Sequence, residues 1–330
     1  MNSFGRIFRI SIFGESHGES VGIVIDGCPA GLSLTVADFL PDLERRKGGT
    51  QKGTTPRQED DLPIFKSGIF NNKTTGAPIT ILFENKNVRS SDYEKQRAIP
   101  RPGHADFVAK AKAGGFEDYR GSGHFSGRLT VALVAAGVIA KKLLSEIKVE
   151  STILEIGGET DWEKGLQRAI DNKDSIGGII ECRVNGLPVA LGEPFFDSAE
   201  SLLSHIVFAI PAVRGIEFGT GFAAARMFGS QHNDAIENMN GKTKTNHAGG
   251  IVGGLTNGNE LVFRIAIKPT SSTPKEQTTL NWETEKIETV SVKGRHDLCI
   301  ALRVPVILEA VTAIVLADLL LSEQKIKRVL

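Results

Sequence analysis

The stretch Asp118-Tyr-Arg120-Gly-Ser-Gly-His124-Phe-Ser126-Gly-Arg128, followed at once by Leu129-Thr-Val-Ala-Leu-Val-Ala-Ala-Gly-Val-Ile-Ala140, decides the fold. The run from Leu129 to Ala140 carries no charge on any face, and the apolar segment continues to Leu144. A helix that is apolar all round must be buried on all sides. Val304 to Leu321 repeats the habit, with only Glu309 and Asp318 as charges. Two such helices need partners on both faces.

The other elements supply those partners. Ile7 to Phe13 alternates as a strand, and Val21 to Ile25 is a second; the Gly-bounded turn between them predicts a hairpin with Ser16 and His17 on its tip. Further strands are expected at Gly76 to Phe83, Ser151 to Ile156, Gly178 to Val184, Ile216 to Phe218, Leu261 to Ile267 and Thr289 to Val292. Leu34 to Arg46 reads as a helix whose start Pro41 can move, His104 to Ala113 as a short helix, and Asp161 to Ile170 and Ser198 to Phe208 as amphipathic helices. The strands follow one another without regular helical crossovers, and no glycine-rich dinucleotide fingerprint opens a βαβ unit. The expected class is α+β, with buried apolar helices between two mostly antiparallel sheets. No linker divides the 330 residues, so one domain spanning residues 1–330 is expected.

Composition narrows the function. Lys+Arg and Asp+Glu both number 39, which disfavours general nucleic-acid affinity. Glycine is 36 of 330 residues, above the roughly 7% of average usage, and sits mostly in loops. Cys28, Cys182 and Cys299 show no metal spacing and read as buried free thiols in a reducing compartment. The N-terminus lacks the apolar core of a signal peptide, and no window of eighteen apolar residues is free of charge, so a cytoplasmic protein without a membrane span is expected.

Histidine is the chemical signal. Of seven, six lie beside Gly, Ser, Asn or Asp: His17, His104, His124, His232, His247 and His296. Histidine titrates near neutral pH and is the default proton donor or acceptor. No pair has the spacing of a strong zinc site, so no metal is expected. Gly121, Ser122, Gly123 and Gly127 allow close backbone approach, which suits an anion cradle but equally a surface turn before a capped helix. Arg45 to Arg57 holds five cations and almost no apolar residues. That predicts a mobile loop, partly neutralised by Glu59, Asp60 and Asp61. Lys268-Pro-Thr-Ser-Ser272 offers one cation and three hydroxyls to a phosphate, or is an ordinary polar turn. Gly294-Arg-His-Asp297 precedes the second apolar helix, and its Asp reads as a poised base or a helix cap.

Taken in order, these segments resemble the chorismate synthases. The shared motifs are Gly14-Glu-Ser-His-Gly18, Arg101-Pro-Gly-His-Ala-Asp106, the Gly-rich stretch Gly121 to Arg128, Asn246-x-Ala-Gly-Gly-x-x-Gly-Gly254, Lys268-Pro-Thr-Ser-Ser272 and Gly294-Arg-His-Asp297. The resemblance spans essentially the whole chain. It implies a 1,4-anti elimination of phosphate from 5-enolpyruvylshikimate 3-phosphate, giving chorismate, with reduced FMN required. It also implies a β-α-β sandwich and a homotetramer, with NADPH as a candidate reductant and a separate flavin reductase as a candidate partner. Carried over by position, His17 would protonate the leaving phosphate and His104 would sit by the flavin. Asp297 would assist proton removal through flavin N5, and Ser16 and Ser126 would keep these groups hydrogen-bonded. Arg46, Lys52, Arg101 and Arg128 would bind the anionic groups of the substrate or NADP. Flavin contacts would come from His124, Phe125, Ser126, Pro211, Ala212, Gly253, Lys268, Pro269, Thr270, Ser271, Ser272 and Arg295. Many members carry Arg-Ser-Ser-Ala-Arg where this chain has His124-Phe-Ser-Gly-Arg128, so a guanidinium and a hydroxyl are lost. Two other readings of the same residues are a phosphate-eliminating enzyme without flavin and an RNA-binding module using the Arg45 to Arg57 loop.

Overall fold

The structure, a computed structural model, describes residues 1–49, 51–88, 97–292, 294 and 296–324. Two antiparallel sheets enclose a central helical layer. The first sheet is built from β1 (Ser3–Phe4), β2 (Arg9–Gly14), β3 (Ser20–Asp26), β4 (Ile64–Ser67) and β5 (Ile79–Glu84), in the order β1-β2-β3-β5-β4. The second holds β6 (Lys148–Ile156), β7 (Gly178–Asn185), β8 (Val213–Phe218) and β9 (Leu261–Ile267), in the order β8-β9-β7-β6. Each strand pair in both sheets runs antiparallel.

The helices are α1 (Leu40–Arg46), α2 (Asp106–Ala113), α3 (Thr130–Leu144), α4 (Trp162–Asp171), α5 (Ala199–Val207) and α6 (Val304–Ser322), with one further turn at Gly229–His232. The two apolar helices α3 and α6 pack on each other; α3 also meets β2, β3 and β5, and α6 meets β6 and β7. The β-α-β sandwich that the resemblance implies is therefore observed, and it gives both apolar helices partners on two sides. Every residue of α3 from Thr130 to Ala140 is buried. Close approach is possible because Gly137 has no side chain: a Cβ there would lie 2.3 Å from Ala310 Cβ and 2.5 Å from Ala310 Cα. Gly137→Ala is expected to lower stability by about 1–3 kcal/mol, the usual overpacking cost. A thermal melt, showing a drop of a few degrees, checks it.

The charges on α6 are both satisfied. Asp318 accepts the backbone N–H groups of Arg6, Ile7 and Phe8 at 2.9, 2.7 and 2.8 Å. Glu309 takes a two-point contact from Arg45 at 2.7 Å on each oxygen and another from Lys141 at 2.9 Å. By length and composition the segment Ile300–Ser322 could cross a membrane, but 89% of its apolar window is buried inside this fold. It is the core helix of the sandwich.

Several expectations need correction. Pro41 moves the start of the first helix to Leu40, and a short 3-10 turn, Val36–Asp38, precedes it. The strand expected at Thr289 to Val292 is Lys286–Val290, paired with Gln277–Asn281 in a separate ribbon. Ser16 and His17 are not on a free tip. They are 0% and 7% exposed, because the Gly121 to Gly127 loop folds over the hairpin and Ser16 N–H donates to the Gly123 carbonyl at 3.1 Å. The cationic segment after α1 is not a loose loop either. The Gly53 carbonyl accepts from Leu298 and Cys299 N–H, and Thr55 N–H donates to Asp297 at 2.8 Å. Thr50, within that segment, lies outside the described residues.

Candidate active site

A cavity of about 550 Å³ opens where the β2–β3 turn, the segment after α1, the Arg101 and Gly121 loops, the Lys268 loop and the start of α6 converge. That size suits a small-molecule ligand. One wall is apolar, with Leu129 and Leu133 from the α3 side, Ile300, Val304 and Ile307 from the α6 side, and Ile210 after α5. The rest is strongly cationic. Among the described residues, seven Lys and Arg side chains and three carboxylates line it, so the cavity favours a polyanion.

The His104 group is the most ordered part. Asp106 Oδ1 lies 2.7 Å from His104 Nδ1, and His104 Nε2 lies 3.3 Å from Ser122 Oγ. Asp106 and Arg101 Nη2, the latter 3.1 Å away, both face Nδ1, and Nε2 faces Ser122. Arg101, 4% exposed, completes the group: it donates to both Asp106 oxygens at 2.8 and 2.7 Å, and to Ser272 Oγ and Ser122 Oγ at 3.0 Å each. Burial alone would raise the Asp106 pKa, but hydrogen bonds from Arg101 and His104 outweigh it and hold the carboxyl well below its usual 3.8. A depressed carboxylate stabilises the fold above its unfolded pKa and loses that contribution as pH falls through the lower folded value. Melts of wild type and Asp106→Asn are therefore expected to differ most above about pH 5 and to converge as pH drops below about 4.

Asp297 faces the same cavity. Its carboxylate accepts Thr55 N–H at 2.8 Å and Arg303 Nη1 at 3.2 and 2.9 Å. Ser16 Oγ, also lining the cavity, receives Arg57 Nη1 at 3.0 Å, while Glu59 clamps the same guanidinium at 2.7 Å. Arg46 and Arg128 share the buried carboxylate of Asp61. Lys268 Nζ bonds the Gly103 carbonyl at 3.0 Å and Ser271 Oγ at 2.6 Å; burial, and secondarily Arg214, lowers its pKa. Thr270 is among the lining residues, and its Oγ1 is buried without a hydrogen-bond partner among the described residues.

The structure thus brings together His104, Asp297, Ser16, Ser126, Arg46, Arg101, Arg128, His124, Phe125, Pro211, Ala212, Lys268, Thr270, Ser271 and Ser272. His17 lies one layer below. Its Cδ2 and Nε2 press on Gly121, where a Cβ would come within 2.4 and 2.6 Å of them, so it shares the Gly121-Ser122 segment with His104. His124 bonds the Gly14 carbonyl through Nδ1 at 2.8 Å and Asn2 Oδ1 through Nε2 at 3.2 Å, which fastens the loop to the first sheet. Lys52 is not among the lining residues; it is exposed and bonds Gln167 at 2.7 Å. Pro269 is not part of the lining, and Gly253 sits in the turn between Ile251–Val252 and Leu255–Thr256 with open space where a side chain would be. Arg295 lies outside the described residues.

Sequence reasoning missed Arg303, read Arg57, Glu59 and Asp61 only as parts of a charged loop, and gave Ser122 no role beyond the Gly-rich turn. The acidic cluster after the cationic segment was the available signal for two of them. Each of four cations of that segment is paired with an acid: Arg45 with Glu309, Arg46 with Asp61, Lys47 with Glu44 and Arg57 with Glu59. They form internal ion pairs rather than the open basic stripe that RNA binding needs.

With this geometry in view, kinship is decisive. The profile described as chorismate synthase matches residues 8–321. The chain belongs to the chorismate synthase family. It is 70% identical over 330 residues to the chorismate synthase of Chitinophaga pinensis, covering 100% of this chain and 99% of that one. Identity to the chorismate synthase of the archaeon Methanocaldococcus jannaschii is 40% over 366 residues, covering 98% and 97% of the two chains. A solved structure titled as the crystal structure of chorismate synthase superposes with a TM-score of 0.71 at 27% identity, covering 97% of this chain and 93% of that one. The two-sheet sandwich described above is thus the fold of chorismate synthase.

Proposed function

We propose that this chain eliminates phosphate from 5-enolpyruvylshikimate 3-phosphate in a 1,4-anti sense to give chorismate, with reduced FMN bound in the same cavity. The observation that carries the reading is the meeting of the Asp106–His104–Ser122 group, Asp297 and the cationic wall around one apolar-backed space. The reaction must hold a phosphate and two carboxylates, remove a weakly acidic hydrogen and release an anion. The chain presents groups for each need.

The residues present fit a flavin. The apolar wall accommodates a flat ring, and Lys268, Ser271 and Ser272 suit its polar edge and phosphate. Bound there, reduced FMN supplies electron density to the substrate during loss of phosphate. Arg46, Arg101 and Arg128 hold the substrate anions through their remaining N–H groups. His104, held by Asp106 through Nδ1, presents Nε2 with Ser122. Asp297, steadied by Arg303 and Thr55, accepts the proton lost from the substrate. His17 and Ser16 act at the leaving phosphate through the Gly121 segment they pack against. The walls from α3 and α6 exclude water, which strengthens every one of these contacts.

The same reading makes the chain one cytoplasmic domain of a homotetramer in aromatic amino-acid biosynthesis. NADPH, directly or through a separate reductase, keeps the flavin reduced. Under argon, with photoreduced FMN, chorismate and inorganic phosphate should appear in equal amounts. Equal phosphate release with flavin omitted, or none with it present, rejects the proposal.

A further inference from the structure

We infer that Asp61 is a positioning residue that fuses Arg46 and Arg128 into one anion-binding unit of fixed geometry. The inference rests on the reading that these arginines bind substrate anions, and goes beyond it by naming what aims them. Asp61 Oδ2 receives Arg46 Nη1 at 3.0 Å, and Asp61 Oδ1 receives Arg128 Nη1. The three side chains are between 2% and 5% exposed, yet all line the cavity.

The other donors are also fixed. Arg46 Nε goes to Thr130 Oγ1 at 3.0 Å, and its Nη2 goes to the Gly127 and Arg128 carbonyls at 3.2 Å each. Arg128 Nε goes to Asn85 Oδ1 at 2.9 Å and Nη2 to the Glu84 carbonyl at 3.2 Å. A guanidinium has five N–H donors. Among the described residues, the hydrogen left over on Arg46 is therefore on Nη1, and Arg128 has one left on each terminal nitrogen. Both Nη1 groups are the ones Asp61 turns. Two guanidinium groups this buried would repel each other without a shared counter-charge.

The backbone supports a special role. Asp61 has φ of +51°, a conformation that few side chains other than Asn and Asp accept. A β-branched residue would be strained there whatever its charge, whereas Glu285 of this chain adopts φ of +56°. Burial would raise its pKa, but Arg46 and Arg128 together hold it below the usual range.

Charge and aim make opposite predictions, and that gives the test. Asp61→Asn removes one negative charge beside an anion site. If Asp61 mattered only through charge, anionic substrate would bind more tightly. If it aims the two arginines, binding weakens. Calorimetric titration of 5-enolpyruvylshikimate 3-phosphate into flavin-free protein should give a Kd raised at least about 10-fold, the scale of one lost charge-assisted hydrogen bond. In turnover, KM should rise by a similar factor while kcat stays within about 3-fold, the signature of lost uniform binding. An unchanged or lower Kd, with or without a lower melting temperature, overturns the inference. Should the Asn variant not fold, Asp61→Glu keeps the charge and displaces both guanidinium groups by one methylene; a raised KM supports the inference and an unchanged KM overturns it. Wild-type protein that neither binds nor converts the substrate would instead remove the functional reading itself.

Discussion

His104→Ala should lower kcat at least about 100-fold, the low end for loss of a positioned acid or base, with the fold retained. The reason is local. Asp106 holds His104 through Nδ1, and Ser122 faces the other ring nitrogen. Removing the imidazole leaves Asp106 paired to Arg101 through both oxygens, so the carboxylate is not stranded and the loop need not collapse. The loss should therefore show in turnover rather than in the melting curve. Anaerobic steady-state kinetics beside a thermal melt check this. Near-wild-type turnover would remove His104 from the chemistry.

Asp297→Asn should also cost at least about 100-fold in kcat, with a different companion effect. The amide keeps the shape and can still accept from Thr55 N–H, but it no longer neutralises Arg303. The cavity becomes more positive by one charge, so substrate Kd should stay the same or fall. Lower kcat with unimpaired binding identifies an interaction needed in the transition state alone. A raised Kd with kcat preserved would recast Asp297 as a support for Arg303.

The elements legible in the sequence are those whose pattern does not depend on a distant partner. The all-apolar faces of α3 and α6 demanded partners on both sides before any neighbour was known; β2 alternates, and β3 and β9 are short apolar, β-branched runs bounded by turn residues. Gln277–Asn281 was not legible, since its one large apolar side chain, Leu280, is exposed and its strand character comes from pairing with Lys286–Val290. The burial of Ser16 and His17 was hidden for a related reason: the residues covering them lie about a hundred positions along the chain. The cationic segment misled because solvation and internal pairing look alike in composition. Only its packing distinguishes Asp61, buried between two arginines, from its neighbour Asp60, which is exposed.

The central claim is that one cavity holds the flavin and the polyanionic substrate together. A crystal structure of the protein grown with oxidised FMN and 5-enolpyruvylshikimate 3-phosphate tests it most directly. The account predicts the isoalloxazine against the Leu133, Val304 and Ile307 wall, with the substrate between it and Arg46, Arg101 and Arg128. Flavin and substrate in separate places, or a substrate bound away from His104 and Asp297, would contradict it.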